Sequence, residues 1–318
     1  MRMTMGVLAG AGGTPPILAV PSVYFVDGDT SHAFYSTDGI NYSDIGIPPG
    51  ISAGGLGKWV KGPDGTYVAC PNYADATANG VYVSANPLAG WTFKTLSEKC
   101  RDVCHDGTRF LVCGNNGYLA YATDPLGTWT TWITSVSSTL HGVMFNNSKY
   151  IVVGANSYLR SATGAGGSLT SRFSGAAADF FFVKVDTTNN RWWAGGPGGA
   201  LRYSADGSAA TSNWSTHTSN TTAQMNRMDV NLSSGLACYV CSTGRRGYSA
   251  TPQSSGSWTE SAPFGGGGNM WEVKYSPLLG LWIATGVGVL RTAATPDASW
   301  TDRVPSGFSF SQGLIVTG

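Results

Sequence analysis

Charge is what this chain most lacks. Asp, Glu, Lys and Arg make up 12% of its 318 residues, about half the usual ~25%. Only three glutamates occur, Glu98, Glu260 and Glu272, and long-chain helix formers are scarce with them. The formal net charge of +1 gives no footprint for nucleic acid or an anionic membrane surface. Arg245-Arg246 is the one basic pair. No apolar run approaches the ~20 residues of a membrane-spanning helix. Residues 1–20 hold Arg2 and a short, glycine-diluted apolar run broken at Pro15-Pro16, a poor secretory signal. They read as a lead-in to a single domain over 21–318.

Glycine, at 44 residues, is about twice its usual ~7%. With 12% aromatics and few helix formers, this argues for an all-β chain. One phrase recurs along it. Tyr121-Ala122-Thr123-Asp124-Pro125 has relatives at Tyr35-Ser36-Thr37-Asp38-Gly39, Val83–Pro87, Ser161–Ala165, Tyr203-Ser204-Ala205-Asp206-Gly207, Tyr248–Pro252 and Thr292–Pro296. A large apolar or aromatic residue follows each: Tyr42, Trp91, Trp129, Leu169, Trp214, Trp258 and Trp300. Cys100–Trp129 also lies over Leu140–Leu169 without a gap, a period of 40. Each unit reads as four short strands, the second a continuous apolar run and the third ending in the phrase. Four-stranded units at such a period are the signature of a β-propeller. Seven copies predict seven antiparallel blades, with the segment after Trp300 pairing with the irregular N-terminal blade to close the ring.

The phrase resembles a relaxed Asp-box, the turn of sialidase-like propellers with BNR repeats. Ser36/Asp38/Gly39/Tyr42 and Ser204/Asp206/Gly207/Trp214 come nearest, each short of one residue between Asp and Gly. The resemblance implies that Asp38, Asp124 and Asp206 are structural turns between third and fourth strands. It likewise implies that Trp91, Trp129, Trp214, Trp258 and Trp300 pack between blades. Short carboxylate and hydroxyl side chains bond backbone amides two residues on, so the same physics applies here.

Sialidase catalysis would need an arginine triad and an Arg-Ile-Pro motif. No Arg-Ile-Pro occurs, and Arg2 is the only arginine before Arg101. Nothing marks the paired carboxylates of glycoside hydrolysis. His32, His105, His141 and His217 are scattered without metal-ligand or triad spacing; His141 shares a repeat column with Arg101, as a surface or channel-lining position would. Cys238 and Cys241 form a CxxC with no second one to complete a zinc site. Cys70, Cys113 and Cys241 align with Val153, Ala194 and Ala284, which reads as small buried residues; Cys100–Cys104 and Cys104–Cys113 bridges are compatible with the spacing. No cofactor is expected, and no enzyme.

What distinguishes the units is loop length. Pro71–Asn79, His217–Arg227 and Glu260–Met270 are elaborated, and in an up-and-down blade all three emerge on one face. Tyr73, Asp75, Phe264 and Trp271 are the candidate binding residues, as aromatics and a carboxylate suited to stacking or anchoring. Low charge, abundant Gly, Ser, Thr and Trp, and an intact Met1 resemble phage virion proteins in style, tail or tail-fibre components above all. The expectation is a non-catalytic, multimeric virion protein that docks on other virion proteins and offers a face to a host glycan or receptor. The alternative is an extracellular lectin or sialidase-like carbohydrate-active enzyme.

Overall fold

The computed structural model describes residues 22–26, 32–51, 55–72, 78–132, 134–172, 179–207, 214–264, 268–309 and 314–317. Strands there are paired antiparallel in sheets of four. The expectation of seven like repeat blades is corrected. Six blades are each built from four consecutive strands. Their first strands are Leu56–Lys61, Cys100–His105, Leu140–Asn146, Phe182–Asp186, Met225–Val230 and Met270–Ser276. The stretch read as a first blade is not such a unit. Ser22–Val26, Ala33–Ser36 and Ser43–Asp44 supply three strands, and Ile315–Thr317 supplies the fourth, pairing Val23 with Val316. The described residues thus hold seven four-stranded sheets, six of them continuous blades and one a composite of the two ends. The reason is steric closure: a ring of twisted sheets leaves an open edge unless its last strand is shared.

The first strand of each continuous blade packs against the first strand of the next around a common axis. Second strands such as Phe110–Gly114 and Ala237–Cys241 are buried at every position, as continuous apolar runs covered on both faces should be. The core lies between blades: Leu111 and Cys113 of one pack with Tyr150 and Val152 of the next. Fourth strands such as Thr130–Thr131 and Thr170–Ser171 are short and exposed.

At the turn between third and fourth strands, Asp38 Oδ1 accepts the Ile40 and Asn41 N–H groups, each at 2.8 Å. Ser36 Oγ accepts the Gly39 N–H at 2.9 Å and donates to Asp38 Oδ1 at 2.9 Å. Gly39 has φ +68°, which a Cβ would resist. Burial works to raise the Asp38 pKa, but the hydrogen bonds outweigh it and hold it at about 2. Asp124 Oδ1 accepts the Leu126 N–H at 2.9 Å, whereas at Asp206 it is Ser204 that accepts the Gly207 N–H, at 3.0 Å. Trp91, Trp129 and Trp300 donate their indole N–H to the carbonyl four residues back, on Pro87, Pro125 and Pro296, at 3.0–3.2 Å. Trp214 and Trp258 are buried without that bond.

All six cysteines are free and buried. Three alignments are corrected: Ala194 and Ala284 pair with Val183 and Val273 as Val112 does with Val103, and so stand level with Val112 and not with Cys113. The Cys241 N–H donates to Arg245 O at 2.8 Å, as Gly114 does to Tyr118 O and Gly154 to Tyr158 O. Cys241 therefore stands level with those glycines and not with Cys113.

Candidate functional site

In five of the six continuous blades the first strand carries a one-residue bulge near its start. The register slips between Leu56 and Trp59, Cys100 and Asp102, Leu140 and Gly142, Met225 and Arg227, and Met270 and Glu272. A bulge leaves its extra residue out of the ladder and re-aims the side chain. The residues set free include Arg101, His141, Asn226 and Trp271. Together with Phe181, just ahead of the one first strand without a bulge, Phe182–Asp186, they line one cavity of about 320 Å³. Lys58 and Arg227, next to the bulges of their strands, reach it as well.

Below the bulges the period-two alternation of a strand points every second residue at the axis. There Arg227 lies with Nε 3.3 Å from Glu272 Oε2 and Nη2 3.5 Å from Asp102 Oδ1. Lys58 Nζ is 3.7 Å from Asp102 Oδ2 and donates to His141 O at 2.9 Å. Asp102 also accepts the Val103 and Val143 N–H groups at 3.0 and 3.1 Å. Two residues further along, Lys184 pairs with Asp229, which accepts the Tyr275 N–H at 2.8 Å. Neither Asp102 nor Glu272 is among the residues lining the cavity: the cations face it and the carboxylates sit behind them.

Burial and the neighbouring Arg227 charge bring the Lys58 pKa down to about 8, against the pull of Asp102 and Glu272. Burial opposes the Arg227 charge, yet the same two carboxylates hold its pKa above the ordinary arginine value. Burial, with Lys58 and Arg101 adding, takes His141 down to about 4, so its imidazole is neutral at pH 7. That ring meets Phe181 edge-on at 5.1 Å. Arg101 Nε donates to Asn115 Oδ1 at 2.9 Å, and Gln224 Nε2 to Asn226 Oδ1 at 2.8 Å.

Of the candidate binding residues, Trp271 lines the cavity; Tyr73 and Asp75 lie outside the described residues. Phe264 is corrected. It is not an exposed anchor but 4% accessible, edge-on to Trp300 at 5.4 Å with the Arg246 and Arg291 guanidinium groups 4.6 and 4.9 Å from its ring. Its place in an elaborated connection made it a candidate; two arginines from neighbouring blades close over it instead. Pro71, Gln224 and Asn226 show that the cavity opens on the side of the elaborated connections. Sequence reasoning missed Lys58, Asp102, Arg227 and Glu272. Their signal was a charge at one repeat column of an otherwise apolar strand. Among the described residues, no group of three or more His, Cys, Asp or Glu could hold a metal ion.

No family model matches the chain, and no curated protein does. Solved structures do. A protein of Bacteroides fragilis described as a candidate 6-phosphogluconolactonase superposes with a TM-score of 0.69 at 9% identity, covering 94% of this chain and 98% of its own. YCF48 bound to a D1 peptide gives 0.58 at 13% identity, over 81% and 87%. The WD40 propeller domain of Doa1 gives 0.61 at 12% identity, over 81% and 84%. At such identities the likeness shows the fold alone. The chain is a β-propeller. No helix among the described residues is long and apolar enough to cross a membrane.

Proposed function

We propose that this propeller is a non-catalytic interaction module whose recognition surface is the mouth of its axis. The observation that carries the reading is the bulge: blade after blade turns one residue out of its ladder and into a common cavity. Rigid strands hold that mouth, the arrangement by which a scaffold presents a binding site. Hydrolysis of a glycoside would call for two carboxylates open to the cleft, whereas Asp102 and Glu272 are tied to Arg227 behind it. The Asp38 turn supports kinship with Asp-box propellers, and the composition supports a virion component as the setting, docked on other virion proteins.

The test is a panel of chromogenic glycosides beside an array of glycans and peptides. We expect no turnover, and array binding that is lost in Arg101→Glu. Turnover abolished by Asp102→Asn would overturn the module reading. Absence of the protein from purified particles would end the virion setting.

A further inference from the structure

We infer that the axial mouth binds a monoanionic carboxylate carried on a compact apolar body. The inference rests on the reading of the mouth as a recognition surface and names what it recognises.

Charge decides the sign and size of the ligand's charge. Lys58, Arg101 and Arg227 face the cavity, while Asp102 and Glu272 lie behind it; three cations against two carboxylates leave +1. One negative charge completes that balance, whereas a phosphate dianion would leave an excess where water is scarce. The cations are also held in advance. Arg227 is braced by two carboxylates, Lys58 by the His141 carbonyl and Arg101 by Asn115, so little side-chain entropy is left to lose on binding. A guanidinium fork matches the two oxygens of a carboxylate.

The walls decide what carries the carboxylate. Trp271, Phe181 and a neutral His141 present ring surface beside those charges. A volume of about 320 Å³ is the share of roughly ten waters, and falls at the lower end of the ~300–1,000 Å³ of ligand pockets. It admits a small aromatic acid or the carboxy-terminal residue or two of a peptide.

Calorimetric titration separates these sources and tests the claim. The probes are benzoate, benzamide, inorganic phosphate, and one acetylated tripeptide ending in phenylalanine, as free acid and as amide. Benzoate and the free-acid peptide should bind, with benzamide and the amide weaker on the order of tenfold or more. Tighter binding of the peptide acid assigns a chain end, and tighter binding of benzoate a free acid. Arg101→Gln should weaken both acids by a similar factor with an unchanged unfolding midpoint; Trp271→Leu serves as a second variant and should weaken both acids as well. Benzamide equal to benzoate, phosphate displacing benzoate, or neither variant having an effect would overturn the assignment. The module reading fails separately, should the Arg101→Glu protein keep every array interaction of the parent.

Discussion

Replacing Arg227 by methionine removes the one cation that serves two buried carboxylates. The Arg227, Asp102 and Glu272 side chains are 11%, 8% and 5% exposed, so solvent cannot replace the lost charge. Asp102 keeps Lys58 at 3.7 Å and two backbone N–H groups. Glu272 keeps the Val273 N–H at 3.3 Å and loses its ion pair. Breaking a buried pair on one side costs ~3–5 kcal/mol, while replacing both partners by apolar groups is often near neutral. Arg227→Met should therefore lose ~3–5 kcal/mol in urea unfolding with m unchanged, and Arg227→Met/Glu272→Met should recover most of it. A single-variant loss below ~1 kcal/mol, the range of solvated surface pairs, would refute the account of a buried axial network. So would a double variant no more stable than the single.

Four further outcomes concern the axis, the Asp38 turn and the blade core. Lys58, faced by Arg227, Asp102, Glu272, Arg101 and His141, has a folded pKa of about 8, below its unfolded value. Its charge thus opposes folding below about pH 8, and stability should climb from there toward the unfolded pKa, a slope absent in Lys58→Met; NMR of the lysine Cε carbons in Arg227→Met should show it titrating higher. His141, at about 4, also lies below its unfolded value, so stability should fall as pH drops from about 6.5 to 4 and its ring protons should show a neutral imidazole at pH 6. Asp38, at about 2, contributes stability that is present above the unfolded aspartate pKa and lost as pH falls through the folded one; Asp38→Ala should cost ~1–3 kcal/mol in denaturant unfolding. A Cβ at Gly247 would lie 2.1 Å from Cζ of Tyr239, whose hydroxyl is fixed on Ser219 O at 2.6 Å, so Gly247→Ala should cost ~1–3 kcal/mol through overpacking.

The propeller was legible because its signals are local. Apolar runs, turn phrases and a 40-residue period need no knowledge of which blade meets which. Asp38 was legible for the same reason, since all its partners lie within three residues. The axial site was not. A bulge shared by aligned strands inserts no visible gap, so the repeat hides it. The pairing of Asp102 with Arg227 joins positions 125 residues apart and depends on the order of blades around the ring. Only Arg101 and His141, stacked in one column, hinted at the axis. Cys241, Ala194 and Ala284 were misaligned because either neighbouring column takes a small buried residue; the strand register and, for Cys241, the turn hydrogen bond to Arg245 tell them apart.

The bulge also separates two kinds of change that most folds confound. Because its extra residue forms no ladder pair, a bulged blade carries a position whose identity the ladder does not constrain. Substituting there rewrites the chemistry of the mouth one letter at a time and leaves the register of every strand intact. Arg101, His141, Asn226 and Trp271 are in that sense a four-letter address, replaceable independently of the frame that displays it, whereas a Cβ at Gly57 would meet the Pro71 carbonyl at 2.8 Å. A scaffold so arranged can acquire a new specificity through single substitutions without first surrendering its stability.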